Sequence, residues 1–136
     1  MNRPALLECE FRRAIPATLQ AVEELLADFR KTAATLLDRV DCFTAELLVR
    51  EGLTNAVVHG CQAESGKQVR CSMRLKGRRL LIVIDDDGHG FDWRASRCVP
   101  GVFSDCSGRG IEILLKYANR VRYNDRGNIA TILKRF

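Results

Sequence analysis

Residues 80–91 read L-L-I-V-I-D-D-D-G-H-G-F. Leu80 to Ile84 is an unbroken apolar run of strand length, which predicts a strand buried on both faces. It ends in three aspartates, Asp85, Asp86 and Asp87, and then glycines at 88 and 90. A carboxylate at a strand end can accept a hydrogen bond from an exocyclic amine. Glycines just beyond it let the backbone turn sharply and approach a ligand closely. The bland alternative is an acidic turn, which Asp-Gly pairs often make.

On the N-terminal side, Gln68 to Leu75 alternates Val69, Cys71, Met73 and Leu75, a strand, and Gly77 begins a turn. Farther back, Leu6 to Ile15 alternates as a first strand, and Pro16 stands where a helix can begin. Ala17 to Leu37 carries Leu19, Val22, Leu25, Leu26 and Phe29 at helical spacing. Asp41 is placed to N-cap a second helix running to about Gly60, with an apolar stripe of Ala45, Leu48, Val49, Gly52, Leu53, Ala56 and Val57. On the C-terminal side, Asp92 to Ser107 reads as a loop around Pro100 and Gly101. Gly110 to Ala118 reads as a third helix. Val121–Tyr123 and Ile129–Phe136 pair across Asp125-Arg126-Gly127. The order β-α-α-β-β-α-β-β predicts an α+β two-layer sandwich, with three helices on one face of a mixed, mainly antiparallel sheet.

Two further features bracket the first. Residues 51–60 read E-G-L-T-N-A-V-V-H-G. Helical spacing sets Glu51, Asn55 and His59 on one face, with about 6 Å of rise between Glu51 and Asn55. Alone, each is an ordinary helical side chain. Ser107-Gly108-Arg109-Gly110-Ile111 opens the third helix, where bare backbone N–H groups and the helix dipole favour phosphate. That too is weak alone: position 113 is Ile, so a dinucleotide fingerprint is incomplete, and no G-x-x-x-x-G-K-[ST] loop occurs.

The 136 residues predict one domain, 1–136, large enough for a core without staples. Hydrophobic residues at 46% and charged residues at 29% suit a globular protein. No apolar run approaches the roughly 20 residues of a membrane span, and the charged N-terminus does not read as a signal peptide; a cytoplasmic location is expected. Six cysteines form no C-x-x-C and no zinc spacing, so reduced thiols are expected, with Cys98 and Cys106, flanking the loop, as reactive candidates. The formal net charge of +5 suits an anionic partner. The basic residues are scattered, with short clusters such as Lys76, Arg78 and Arg79, and no aromatic-interleaved stripe, which favours a solvated basic surface over a DNA-binding face.

Taken together, E-x-x-x-N, D-x-G-x-G and G-x-G-[IL] resemble, in order and spacing and over nearly the whole chain, the N, G1 and G2 boxes of the GHKL superfamily of gyrase, heat-shock chaperone, mismatch-repair and histidine-kinase ATPases, with its Bergerat-type ATP-binding fold. The resemblance implies ATP and magnesium as cofactors. Asn55 would coordinate magnesium through its amide oxygen, Asp86 would receive the adenine amine, and Gly88 and Gly90 would line the base, with Phe91 and His59 in the same boxes. Ser107, Gly108, Arg109 and Gly110 would sit by the phosphates under a lid of 92–107. Glu51 would be the general base.

The phosphoacceptor helix of a histidine kinase is missing: the only histidines, His59 and His89, lie inside the boxes. E-G-L-T-N-A-V-V-H-G and G-R-G-I-E-I-L-L-K-Y-A-N-R-V look like the anti-sigma factor serine/threonine kinases. These bind a sigma factor or a small anti-anti-sigma (STAS) protein, phosphorylate the latter and often form homodimers. The departures are Asn119, where many relatives are acidic, read as a surface detail, and Asn128 after Gly127, where relatives have Thr. Asn128 has the strand parity to reach a nucleotide and Thr131 does not. Two rival readings are a catalytically silent ATP-dependent module that sequesters a partner, and a nucleic-acid binder in which the boxes are coincidence.

Overall fold

The computed structural model describes residues 8–62, 64, 66–90 and 107–136. Five strands form one sheet: β1 (Glu8–Pro16), β2 (Gln68–Lys76), β3 (Arg79–Asp86), β4 (Arg120–Tyr123) and β5 (Ile129–Arg135), in spatial order β1-β2-β3-β5-β4. The expectation of a mixed sheet is corrected: every described pairing is antiparallel. Helices α1 (Leu19–Ala33), α2 (Arg39–Asn55) and α3 (Ser107–Tyr117) complete the α+β sandwich, with α2 packed between α1 and α3.

The strand alternation is clean. Val69, Cys71, Met73 and Leu75 of β2 and Leu80, Ile82 and Ile84 of β3 are buried against the helices, with Leu26, Leu48, Leu53, Leu114 and Ile132. Expected burial of β3 on both faces is corrected. Leu81 is 38% exposed and Val83 is half-buried, because the described helices all lie against the other face. A β-branched run therefore marks the centre of an antiparallel sheet here, not a strand covered on both sides.

Three helix boundaries also differ from expectation. Pro16 ends β1 and does not begin a helix; Thr18 is the N-cap of α1, its Oγ1 accepting from the Ala21 amide at 3.1 Å. Helix α1 stops at Ala33, leaving Leu36 and Leu37 to pack on the core from a turn. Asp38, not Asp41, caps α2: its Oδ1 accepts from the Asp41 amide at 2.8 Å. Asp41 is a first-turn acid, favourable to the dipole. Across the two helices Glu46 accepts from Arg30 at 2.9 Å and from Arg50 at 3.3 Å, and Arg50 also pairs with Glu23.

Two features of α2 position the site. At Gly52 a Cβ would lie 2.5 Å from Ile84 Cδ1 and 3.1 Å from Ile132 Cδ1, so the missing side chain sets how closely α2 approaches the sheet. After Asn55 the helix widens into a π-helical turn, Ala56–Gly60, closed by the Cys61 amide donating to the Ala56 carbonyl at 2.8 Å. Such one-turn widenings are frequent at functional sites.

Candidate functional site

Strand parity sorts the three aspartates. Asp85 and Asp87 face outward and share Arg70, at 3.2 and 2.9 Å, while Asp86 turns inward and is 4% exposed. The Asp87 carboxyl is held below its ordinary value, mainly by the Arg70 hydrogen bond. Asp86 moves the other way: burial raises it, and the Gly88 amide, donating to its Oδ1 at 2.8 Å, opposes the rise. Its own amide donates to the Asn128 carbonyl at 3.0 Å, which ties the end of β3 to the start of β5.

The second inward polar group is Asn55, the last residue of α2, also 4% exposed. Asn55 and Asp86 are the two buried polar side chains among the described residues. Burying an amide or a carboxylate is unfavourable unless it is compensated. The Asn55 Nδ2 has no well-formed hydrogen bond. Its amide lies beside the Tyr123 hydroxyl, which burial pushes up and the Asn55 contact pulls back.

Glu51, one turn before Asn55, is half-buried, and burial raises its pKa against the opposing charge of Arg50. His59 is half-buried and lowered by burial. Of the expected row of Glu51, Asn55 and His59, the first two lie on α2 and the third in the π-helical turn that follows it.

Backbone contacts shape the floor. A Cβ at Gly60 would lie 2.4 Å from Asp86 Oδ2, and one at Gly88 would lie 1.8 Å from the Gly60 carbonyl oxygen and 2.8 Å from Asp86 Oδ1. At Gly90, with φ +81°, it would lie 1.7 Å from the Arg126 carbonyl oxygen. The π-helical turn, the Asp86–Gly90 segment and the β4–β5 turn thus meet main chain to main chain. Gly60 was not among the residues expected from sequence, nor was Tyr123. Gly60 closes the E-G-L-T-N-A-V-V-H-G stretch, but nothing in local spacing marks it until the fold sets it on Asp86.

Helix α3 begins at Ser107, three residues before the Gly110 start expected from sequence. Ser107, Gly108, Arg109 and Gly110 are therefore its first four residues, the ones whose N–H groups have no partner within a helix. Asn128 lies at the site through its carbonyl, while its side chain is engaged in the hairpin: Oδ1 accepts from Asn124 Nδ2 at 2.5 Å. Thr131 faces the other side of the sheet, as its parity requires. Asn119, expected as a surface detail, holds a strand end: its Oδ1 accepts from the Arg135 amide at 2.7 Å. Phe91, the 92–106 part of the expected lid, Cys98 and Cys106 lie outside the described residues. Cys9, Cys42, Cys61 and Cys71 are free thiols, and burial pushes Cys71 up to about 12. Among the described residues no helix is long and apolar enough to cross a membrane.

Comparison with known proteins bears on the family and the fold. Residues 15–134 match the family model of the histidine kinase-like ATPase domain. The anti-sigma F factor of Shouchella clausii is 33% identical over 66 residues, 45% of this chain and 45% of that protein. The Escherichia coli sensor histidine kinase YpdA is 39% identical over 56 residues, 40% of this chain and 10% of that protein. A rat beta-hexosaminidase alpha subunit is 38% identical over 66 residues, 48% of this chain but 12% of that glycosidase. The chain thus spans less than half the length of these relatives. The histidine kinase domain of the blue-light activated kinase from Erythrobacter litoralis shares the fold, with a TM-score of 0.50 and 19% identity, over 88% of this chain and 61% of that one.

Proposed function

Because the chain belongs to the histidine kinase-like ATPase domain family, we propose that it is an ATP-binding anti-sigma regulatory factor that phosphorylates a serine or threonine of an anti-anti-sigma (STAS) partner. The burial of Asn55 and Asp86 at one end of the sandwich carries this reading. A fold spends two buried polar groups only where something compensates them, and an adenine amine and a hydrated cation are the groups these two suit.

Asp86, fixed by the Gly88 amide, accepts from the exocyclic amine of the base. Gly60, Gly88 and Gly90 leave a main-chain wall against which a flat ring can lie. The leading N–H groups of α3 face the phosphates. Asn55 offers one oxygen, and no cluster of three His, Cys, Asp or Glu exists among the described residues. That donor set fits magnesium, which keeps waters and substrate phosphates as its other ligands. When bound, magnesium neutralises charge on the triphosphate.

Glu51 takes the proton from the partner's hydroxyl. That oxygen forms the new bond to the γ-phosphorus as the bond to the β,γ-bridging oxygen breaks, leaving ADP and a phosphoprotein. A burial-raised carboxylate is a better base near neutral pH than an exposed one. The name of the Shouchella relative, an anti-sigma F factor, supports the regulatory part of the reading. A sigma factor is the second partner, and a homodimer in the cytoplasm the working assembly.

Calorimetry with ATP, with and without magnesium, is the first test. Magnesium-dependent binding that is lost in Asn55→Ala supports the site; no binding at millimolar ATP overturns it. Glu51→Ala then keeps ATP binding but lowers transfer to a STAS substrate by about 10²–10⁴. Undiminished transfer defeats the base assignment. ATP binding without transfer in the wild type leaves the sequestering module.

A further inference from the structure

The basic residues are scattered in sequence but gathered in space. The strand register places Arg12, Arg70 and Arg74 on the face of the sheet that carries no helix, each tied to an acid on that face: Arg12 to Glu10 at 2.5 Å, Arg70 to Asp85 at 3.2 Å, Arg74 to Glu8 at 2.7 Å. Five more cations lie there: Lys76, Arg79, Arg120, Arg122 and Arg135. All five are exposed, and none has an ion-pair partner among the described residues. Against the eight cations this face sets four acids, Glu8, Glu10, Asp85 and Asp87, the last two sharing Arg70, which leaves a surplus of four positive charges.

Their arrangement is not random. Lys76 pairs in register with Arg79 and Arg79 with Arg135, a row across one end of the sheet. Arg120 and Arg122 run down the β4 edge, opposite Leu133 and Thr131. The row and the edge enclose an apolar strip in which Leu81 opposes Leu133 and Val83 opposes Thr131, with Ile129 beyond. Leu81 is 38% and Ile129 36% exposed. Beside the strip is a shallow hollow bounded by Arg12, Arg70, Ser72 and Val83.

We propose that this open sheet face docks an acidic protein segment with leucine-like side chains, the apolar strip taking the latter and the five free cations its carboxylates. An apolar centre inside an arginine-rich border is the anatomy of a protein interface. A second copy of the chain is disfavoured, since two such faces each carry an unbalanced surplus of four positive charges. Nucleic acid is disfavoured too: the described residues of this face include no aromatic ring on which a base could stack, and a flat sheet offers no element that enters a groove. No amphipathic helix covers it for insertion at a lipid surface. The face lies on the opposite side of the sheet from Asn55 and Asp86, so docking there leaves the candidate nucleotide site open. The inference does not depend on ATP binding.

The probe is a synthetic 20-residue helical peptide with leucine at i, i+4 and i+7 of each repeat and glutamate elsewhere. It is titrated into the ¹⁵N-labelled full chain and compared with its glutamine-for-glutamate analogue, a 20-base-pair duplex and phosphatidylserine vesicles. Expected are saturable binding of the acidic peptide, shifts confined to amides of the Leu81, Val83, Thr131 and Leu133 strip, and weakening by about tenfold when the double variant R120E/R122E is used. Leu81→Ser should weaken binding without changing the fold, as reported by an unchanged amide spectrum elsewhere. Equal binding of the glutamine analogue, shifts on the helical side, tighter binding of duplex or vesicles, or self-association through this face in sedimentation equilibrium would each overturn the proposal.

Discussion

Replacing Gly60 by alanine adds one methyl group directly against the Asp86 carboxylate. The new Cβ would lie 2.4 Å from Oδ2, 2.8 Å from Cγ and 2.9 Å from Oδ1, so all three carboxyl atoms must move together. They are held by the Gly88 amide at 2.8 Å, and Gly88 itself rests on the Gly60 carbonyl. Overpacking of this kind costs about 1–3 kcal/mol. Alanine returns about 1 kcal/mol of helix propensity, because Gly60 is not at positive φ. The net loss of stability is therefore about 0–2 kcal/mol. Displacing a charged acceptor from its ligand costs more, about 1.5–3 kcal/mol, which is roughly 10- to 150-fold in ATP affinity. The variant should thus lose more affinity than stability. Gly52→Ala is the control, since its Cβ crowds the tips of Ile84 and Ile132 and not the carboxylate. It should lose stability and keep affinity. Calorimetry and thermal unfolding of both variants decide the matter. Full ATP affinity in a folded Gly60→Ala protein would refute the placement of the base on Asp86.

Asp86 and Glu51 both have pKa values raised by burial above their ordinary 3.8 and 4.5. The folded state holds these protons more tightly than the unfolded chain does, so their stabilising contribution is complete below those ordinary values and disappears as pH climbs through the raised ones. A Glu51→Gln, Asp86→Asn protein should gain Tm over wild type as pH rises from about 4 to 7, while losing ATP binding; a gap that stays constant or shrinks contradicts the burial account. Removing the α2 cap by Asp38→Ala should cost about 0.5–2 kcal/mol in urea unfolding without changing ATP affinity, and an Asp41→Ala protein should lose less, because Asp41 contributes its amide to the cap and not a side-chain acceptor.

Much of the fold was legible because it depends on periodicity. Val69, Cys71, Met73 and Leu75 announced an inward face, and Leu48, Val49, Gly52 and Leu53 a helical stripe. The Glu51–Asn55 pair and Asp86 could be located because spacing on one element fixes where they point. The errors have a common physical origin. Leu80 to Ile84 shows that a strand is apolar but not how many layers cover it, and Leu81 and Val83 face a side that no helix among the described residues covers. Asp38 and Asp41 are chemically equivalent caps until the chain direction at residue 38, ψ 174°, selects between them. Gly60 and Tyr123 matter through neighbours 26 and 68 positions away, Asp86 and Asn55, and local spacing cannot register such distances. The same holds for the cations of the open face, which sequence order disperses and the strand register collects.

The contact between Gly90 and the Arg126 carbonyl has a mechanical consequence. Where two side chains meet, a displacement of one segment can be absorbed by rotation about χ angles. Here a main-chain carbonyl abuts a main-chain α-carbon, so no side-chain rotamer change can relieve the contact. A push of the β4–β5 turn against Gly90 would have to be taken up by the backbone torsions of the two segments. The hairpin that bears Arg120 and Arg122 on its outer surface thereby abuts, through its turn, the floor of the candidate pocket.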